Sequence, residues 1–312
     1  MIKTIFLFCI FCSIISNLMG QKRSIGPEDY KTWRSISSPL MSHDASLVGY
    51  QAKPLEGDPT LYLFQCATSS LDSFQRAEGL RFNLNSDLAV FKITPGFDTI
   101  RKLKLKKVKK NKWPKDSLCI INLKEDTLVK ISGLKKYALS KEGNTLCYLT
   151  NSTVKAKGWR PFSKAKPSRK VNILRVYTTY PSLFLALEGV TDFKLSDDGN
   201  RLAVLKELKI EKEKSYSIVV YDLRSKNPVR EFDQAEKFKL SRWSESTDKF
   251  AFYQSQDTSL ENYELYVYDF KTNKSTIIGT EFIEALNFGD SLPSIHQKPI
   301  FSKDEQNMVF GM

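Results

Sequence analysis

Histidine is scarce in this chain: its 312 residues hold two, His43 and His296. His43 falls in a polar turn and His296 in the loop "PSIHQKP". Neither adjoins a recognisable nucleophile, and a general base must lie within hydrogen-bond reach of the group it activates. There is no G-x-S-x-G; "FGDSLP", around Ser291, lacks the flanking glycines. These absences exclude a readable Ser–His–Asp arrangement. A Walker loop, a GxGxxG and an EF-hand pattern are missing as well. The sequence therefore assigns no catalytic, cofactor-binding or metal-ligating residue, and it implies no cofactor.

Cysteine is also sparse. Cys9 and Cys12 lie in the N-terminal apolar run, leaving Cys66, Cys119 and Cys147. Three is an odd number, which excludes a complete disulfide framework. Each sits in a strand-like apolar context ("LYLFQCA", "DSLCIINL", "NTLCYLT"). The expectation is three buried, unpaired thiols. A Cys119–Cys147 bridge stays open should their strands be neighbours. No CxxC spacing or nearby His supports a zinc site.

Long apolar runs are confined to the start. "MIKTIFLFCIFCSIISNLMG" has one Lys, an apolar stretch, then small and polar residues. That order reads as a secretory signal peptide over residues 1–20, cut before Gln21. A transmembrane helix is the rival reading. The expected mature protein is exported, periplasmic or extracellular, with no further membrane span.

Acidic residues are missing from two segments. "RKLKLKKVKKNKWPK" (101–115) holds nine Lys/Arg and "KAKGWRPFSKAKPSRK" (155–170) holds seven, with no acid in either. The formal net charge is +13, so the rest of the chain sits near −3. The basicity belongs to two insertions, expected as solvated loops or extended arms. Polyanion binding is the sharper alternative, with Trp113, Trp159 and Phe162 available for stacking. The expected export argues against nucleic acid as a partner.

What the chain does have is repetition. "LMSHDASLVGYQ" (40–51), "RFNLNSDLAVFK" (81–92), "YALSKEGNTLCYLT" (137–150), "FKLSDDGNRLAVLK" (193–206), "RWSESTDKFAFYQ" (242–254) and "PIFSKDEQNMVFG" (299–311) share one plan. Each is an apolar approach, a Ser/Asn/Asp/Gly turn and an alternating strand. The spacing of about 41 to 58 residues suits propeller blades. Ser196 and Asp197 are expected to bond amides two residues on, with Gly143 and Gly199 supplying positive φ. A second pattern follows in "DSLCIINLKEDTLVKIS" (116–132), "YSIVVYDLRSKNPVREF" (216–232) and "YELYVYDFKTNKSTII" (263–278): strand, polar turn, strand, closed by Asp222 or Asp269 in the last two. The expected fold is all-β, a β-propeller of four-stranded antiparallel blades, about five plus part of a sixth, over residues 39–312. A β-sandwich is the rival. Residues 21–38 form an N-terminal segment, with a short helix expected in "PEDYKTWRSI" (27–36) carrying Trp33 and Ile36 on one side. "PGFDTIRKLKLKKVKK" (95–110) reads as a helix or an extended arm.

These residues resemble the N-terminal β-propeller of secreted bacterial prolyl oligopeptidase-family serine peptidases. The likeness begins at "GPEDYKTWRSISSPLMSHDASLVGYQAKPLEGDPTLYL" (26–63). It continues through the Lys-rich insertion before "PKDSL", then "VTDFKLSDDGNRLAV" and the closing "KPIFSKDEQNMVFGM". The insertion with "PKDSL" is its most specific part. The resemblance implies a propeller over an α/β-hydrolase domain that follows in sequence and carries the nucleophile. The chain stops at Met312 just after an inner-strand motif, so a truncated or split gene product is expected. Two functions follow: a non-catalytic propeller gating peptide access to a hydrolase, or a free-standing exported propeller that binds a peptide, glycan or protein partner.

Overall fold

The computed structural model describes residues 24–154, 169–178, 180, 182–210, 213–233, 235–256, 262–279 and 292–311. Residues 1–20, read above as a signal peptide, and Ser291, Trp159 and Phe162 lie outside them.

Alternation along the strands decides the architecture. In β13 (Arg201–Ile210), Leu202 and Val204 pack with Cys147, Leu149 and Phe193, whereas Ala203 and Leu205 pack with Phe238, Trp243 and Phe252. The same split occurs in β6 (Leu88–Ile93), β9 (Leu146–Val154) and β17 (Lys249–Ser255). Each of these strands is apolar on both faces, so each sheet must be covered twice. Stacking successive sheets face to face does this for all of them.

The strands alternate in the order that the repeats foretold. β1 (Arg34–Met41), β2 (Leu47–Pro54), β3 (Thr60–Gln65) and β4 (Ser70–Gln75) form the first antiparallel blade. β12 (Val190–Leu195), β13, β14 (Glu213–Asp222) and β15 (Asn227–Phe232) form the fourth. β16 (Lys237–Trp243), β17, β18 (Glu264–Asp269) and β19 (Lys274–Ile278) form the fifth. The two-stranded β20 (Ile300–Phe301) and β21 (Met308–Val309) begin an incomplete sixth. Burial falls from inside to outside: β17 is buried except at Lys249, while β15 is exposed except at Phe232.

The second and third blades share one seven-stranded sheet, β5 (Ala77–Phe82), β6, β7 (Asp116–Asn122), β8 (Thr127–Leu139), β9, β10 (Arg169–Tyr177) and β11 (Leu185–Glu188). β8 serves both. Its first half pairs with β7 as an outer strand, and from Leu134 onward it pairs with β9 as an inner strand. The changeover is Gly133, at φ +76. The same single-residue corner joins β4 to β5 at Arg76 and β11 to β12 at Gly189, both with positive φ. Arg76 donates its N–H to the Pro59 carbonyl at 2.6 Å and accepts from Thr94 N–H at 2.9 Å. Gly189 repeats this with Asn172 and Glu207, both at 3.1 Å. One corner residue thus closes one blade's edge and opens the next.

The helix expected over 27–36 shrinks to one 3-10 turn, Asp29–Lys31, because β1 begins at Arg34 and pairs with β2. Trp33 and Ile36 are exposed. The start of the basic insertion is helical: α1 spans Phe97–Leu105, with Ile100 and Leu103 half-buried and its cations outward, and turns follow to residue 115. Cys119 and Cys147 are buried and unpaired, and burial pushes both thiols up. They sit on β7 and β9, with β8 between, so no bridge forms. Cys66 corrects the expectation of burial: it is exposed, one residue past the end of β3.

Candidate functional site: the central channel

The inner hairpin turns share a hydrogen-bond pattern. Ser196 Oγ accepts from Arg201 N–H at 2.9 Å and donates to Asp198 at 2.5 Å, and Asp198 Oδ1 accepts from Asn200 N–H at 3.0 Å. Ser42–Asp44 and Ser302–Asp304 repeat this, and Ser244, Ser140 and Asn83 keep the five-residue link to the returning strand. The acid that caps the turn is therefore Asp198, not Asp197. Positive φ falls three residues after the turn's first residue, at Ala45, Ser86, Gly199, Thr247 and Glu305. Gly143 is not among them. Its role is close approach: a Cβ there would stand 2.6 Å from the Asp198 carbonyl of the next blade.

Each turn is bonded to the next. Asp44 N–H reaches Ser86 Oγ at 3.1 Å, and Asn83 reaches Asn144 at 2.9 Å. Thr145 donates to the Gly199 carbonyl, and Arg201 to the Thr247 carbonyl, both at 2.9 Å. Ser246 N–H reaches Glu305 at 2.6 Å. The turns make a continuous belt that fixes the angular spacing of the inner strands.

Those inner strands enclose a cleft of about 530 Å³ lined by Met41, His43, Arg81, Tyr137, Lys141 and Asp197, with Leu40, Leu139 and Leu195 as its apolar wall. Tyr137 crosses between blades, its hydroxyl donating to the Gly79 carbonyl. Burial pushes the Tyr137 phenol up to about 12, although Arg81 pulls the other way, so it is a permanent donor. Lys141 pairs with Asp197 at 2.5 Å. The volume falls within the usual range of ligand-binding clefts, about 300–1,000 Å³.

Among the described residues, the imidazoles of His43 and His296 make no hydrogen bond. His43 lines the cleft wall, and His296 lies in an exposed loop whose N–H reaches Ser294 Oγ. Sequence reading assigned no site residue, and it missed the cleft because its lining comes from several blades, each giving a few residues. Of the basic segments, 101–115 lies on α1 and the turns after it, and residues 155–168 are outside the described set. Trp113 donates to the Val108 carbonyl at 2.8 Å, which occupies the ring nitrogen locally. Changing Lys106, Lys107, Lys109 and Lys110 together to Gln is expected to weaken retention on heparin. The slope of log affinity against log salt should drop by up to about 3.6, at about 0.9 for each of the four lost contacts. An unchanged elution salt would show that this lobe contributes no binding charge.

The chain is thus an all-β protein of propeller-like blades, the last incomplete, around a cleft with a mixed apolar and cationic wall. No protein-family description matches it, and no curated protein does. Among solved structures it is similar to the acylaminoacyl peptidase of Pyrococcus horikoshii, at 11% identity and TM-score 0.45 over 86% of this chain and 41% of that one. It is also similar to the β-propeller domain of the trilobed protease of Pyrococcus furiosus, at 12% identity and TM-score 0.45 over 86% and 80%. TolB of Acinetobacter baumannii gives 12% identity and TM-score 0.37 over 80% and 55%. The chain spans 41% of the length of the first of these.

Proposed function

We propose that this chain is a non-catalytic propeller that receives an unfolded peptide segment in its central cleft. In this role it would filter access to a hydrolase domain lying outside these residues, and it would work beyond the cytoplasmic membrane. The observation that carries the reading is the cleft itself. Its mouth is framed by turns bonded in series from the first blade to the sixth, which would favour entry of a single flexible strand over a folded domain. Its apolar wall offers side-chain pockets, while Arg81, Tyr137 and Lys141 supply directional polar contacts. The hydrolase partner follows from the sequence resemblance of residues 26–63 and of the "PKDSL" insertion. The apolar leader at 1–20 supports export.

Met41→Trp tests the reading. Met41 lines the cleft and is 59% exposed, so a larger side chain fills space without disturbing the core. Anisotropy with a labelled unstructured peptide should show binding to the native chain and a loss of about tenfold or more in the variant, the scale of one blocked side-chain pocket. A compactly folded protein of similar composition should not compete. Equal peptide affinity in both proteins, at unchanged melting temperature, would sink the proposal.

A further inference from the structure

We infer that the channel is selective for acidic peptides, whose carboxylates are met by Lys136, Lys194, Arg242 and Lys298 on the inner walls of the third to sixth blades. This rests on the channel being the peptide site. Lys194 on β12 and Arg242 on β16 occupy one equivalent position, two residues before Ser196 and Ser244. Arg81 holds the same position before Asn83 and lines the cleft. Lys136 lies on β8, and Lys298 just precedes β20. Cations thus recur at matched places on several blades.

Compensation is thin. Lys136 Nζ pairs with Asp192 at 2.5 Å and donates to the Phe193 carbonyl at 2.6 Å. Arg81, Lys194, Arg242 and Lys298 form no salt bridge among the described residues. Trp243 donates to the Lys194 carbonyl at 3.0 Å, which pins β12 against β16 and holds their two cations at a fixed spacing. Lys194 is half-buried. Burial, with Lys136 and Lys298 beside it, holds its ammonium below the usual lysine range; Asp192 opposes this and Arg242 adds to it. Like charges on a partly desolvated wall repel in the empty protein, and an entering anion converts that repulsion into binding. Lys136 and Lys194 share the inner strands β8 and β12 with Leu139 and Leu195 of the cleft wall, and this pairing of cations with apolar residues matches a chain that mixes carboxylates with apolar side chains. It does not match the unbroken charge of a polyphosphate.

Two labelled unstructured peptides, identical except for Glu or Gln at alternate positions over a Leu/Ala background, decide this by anisotropy. The native chain should bind the Glu peptide about tenfold tighter at low salt, the scale of a few charge contacts. Lys194→Gln with Arg242→Gln should erase that preference, bringing the Glu and Gln peptides to equal affinity. Arg242→Gln alone, at an exposed position, should give part of the loss and guards against misfolding of the double variant. The Lys106/Lys107/Lys109/Lys110→Gln variant should keep the preference. A preference that survives the double variant, or that vanishes with the α1-lobe variant, overturns the inference. So does full displacement of the Glu peptide by equimolar tripolyphosphate. Binding of the Gln peptide without any Glu preference sinks this inference alone; failure of both peptides to bind sinks the peptide-site reading as well.

Discussion

Phe252→Ala is expected to lower the unfolding free energy by about 3–5 kcal/mol, the usual cost of removing a large ring from a packed core. Phe252 is fully buried. Its ring lies 4.7 Å from Phe232, 5.5 Å from Tyr266, 5.9 Å from Phe250 and 6.1 Å from Phe238, centroid to centroid. Those partners come from both the fourth and the fifth blades, so the ring is shared by two sheets. Neither sheet can close on the space left behind without shifting against the other, and the turn belt restrains that shift. Urea melts followed by tryptophan fluorescence, to which the buried Trp243 contributes, measure the change. The matched control is Val229→Ala on β15, where the side chain is 47% exposed and a change within about 0.5 kcal/mol is expected. A loss below about 1 kcal/mol at Phe252 would mean that the blades do not depend on one another for burial.

The hairpins were legible because their chemistry is local. Ser or Asn at the turn, polar turn residues and a strand that alternates small and large residues are all visible within fourteen positions, and every one of the six expected hairpins forms, although the capping acid is Asp198 and not the expected Asp197. Asp222 and Asp269 close outer turns as expected, by accepting from the N–H groups of Arg224 and Lys271 at 2.8 Å. Other features were hidden because their cause lies elsewhere in the fold. The hairpin β3–β4 has no acid at its first strand's end; Gln65 does that work by accepting from Thr68 Oγ1 at 3.0 Å. The double service of β8 turns on Gly133, which in sequence is simply a glycine between two strand-like stretches. Gly143 looked like a source of positive φ and is instead a gap for the neighbouring turn. Arg81, Lys194 and Arg242 each read locally as a polar residue on the approach to a turn. Only the stacking of successive blades brings together the inner strands that carry them.

Asp198→Ala is expected to cost about 1.5–3 kcal/mol, the range for hydrogen bonds to a charged acceptor whose donors are then left unpaired. Asp197→Ala, one residue earlier, should cost about 0.5 kcal/mol, because its side chain makes only the exposed pair with Lys141. The contrast follows from geometry. Asp198 receives Ser196 Oγ at 2.5 Å, Asn200 Nδ2 at 2.8 Å, Asn200 N–H at 3.0 Å and Thr247 Oγ1 at 3.4 Å, the last across the blade boundary. Burial alone would raise the Asp198 carboxyl, but the donors from Ser196, Asn200 and Thr247 outweigh it and hold it below the ordinary range. A carboxyl depressed by folding stabilises fully above its unfolded value, near 3.9, and loses that contribution as pH falls through the folded value. Asp44 and Asp304 are lowered in the same way, chiefly by the Ser42 and Ser302 hydroxyls. The native protein should therefore hold its stability from neutral pH to about pH 4 and lose it steeply below. In Asp198→Asn that acid limb should be shallower, since the amide does not titrate. Thermal melts between neutral pH and pH 3 give both slopes. Parallel acid limbs in the two proteins would show that the turn carboxylates do not hold the belt together, and equal losses for Ala at 197 and 198 would show that the belt is not built on Asp198.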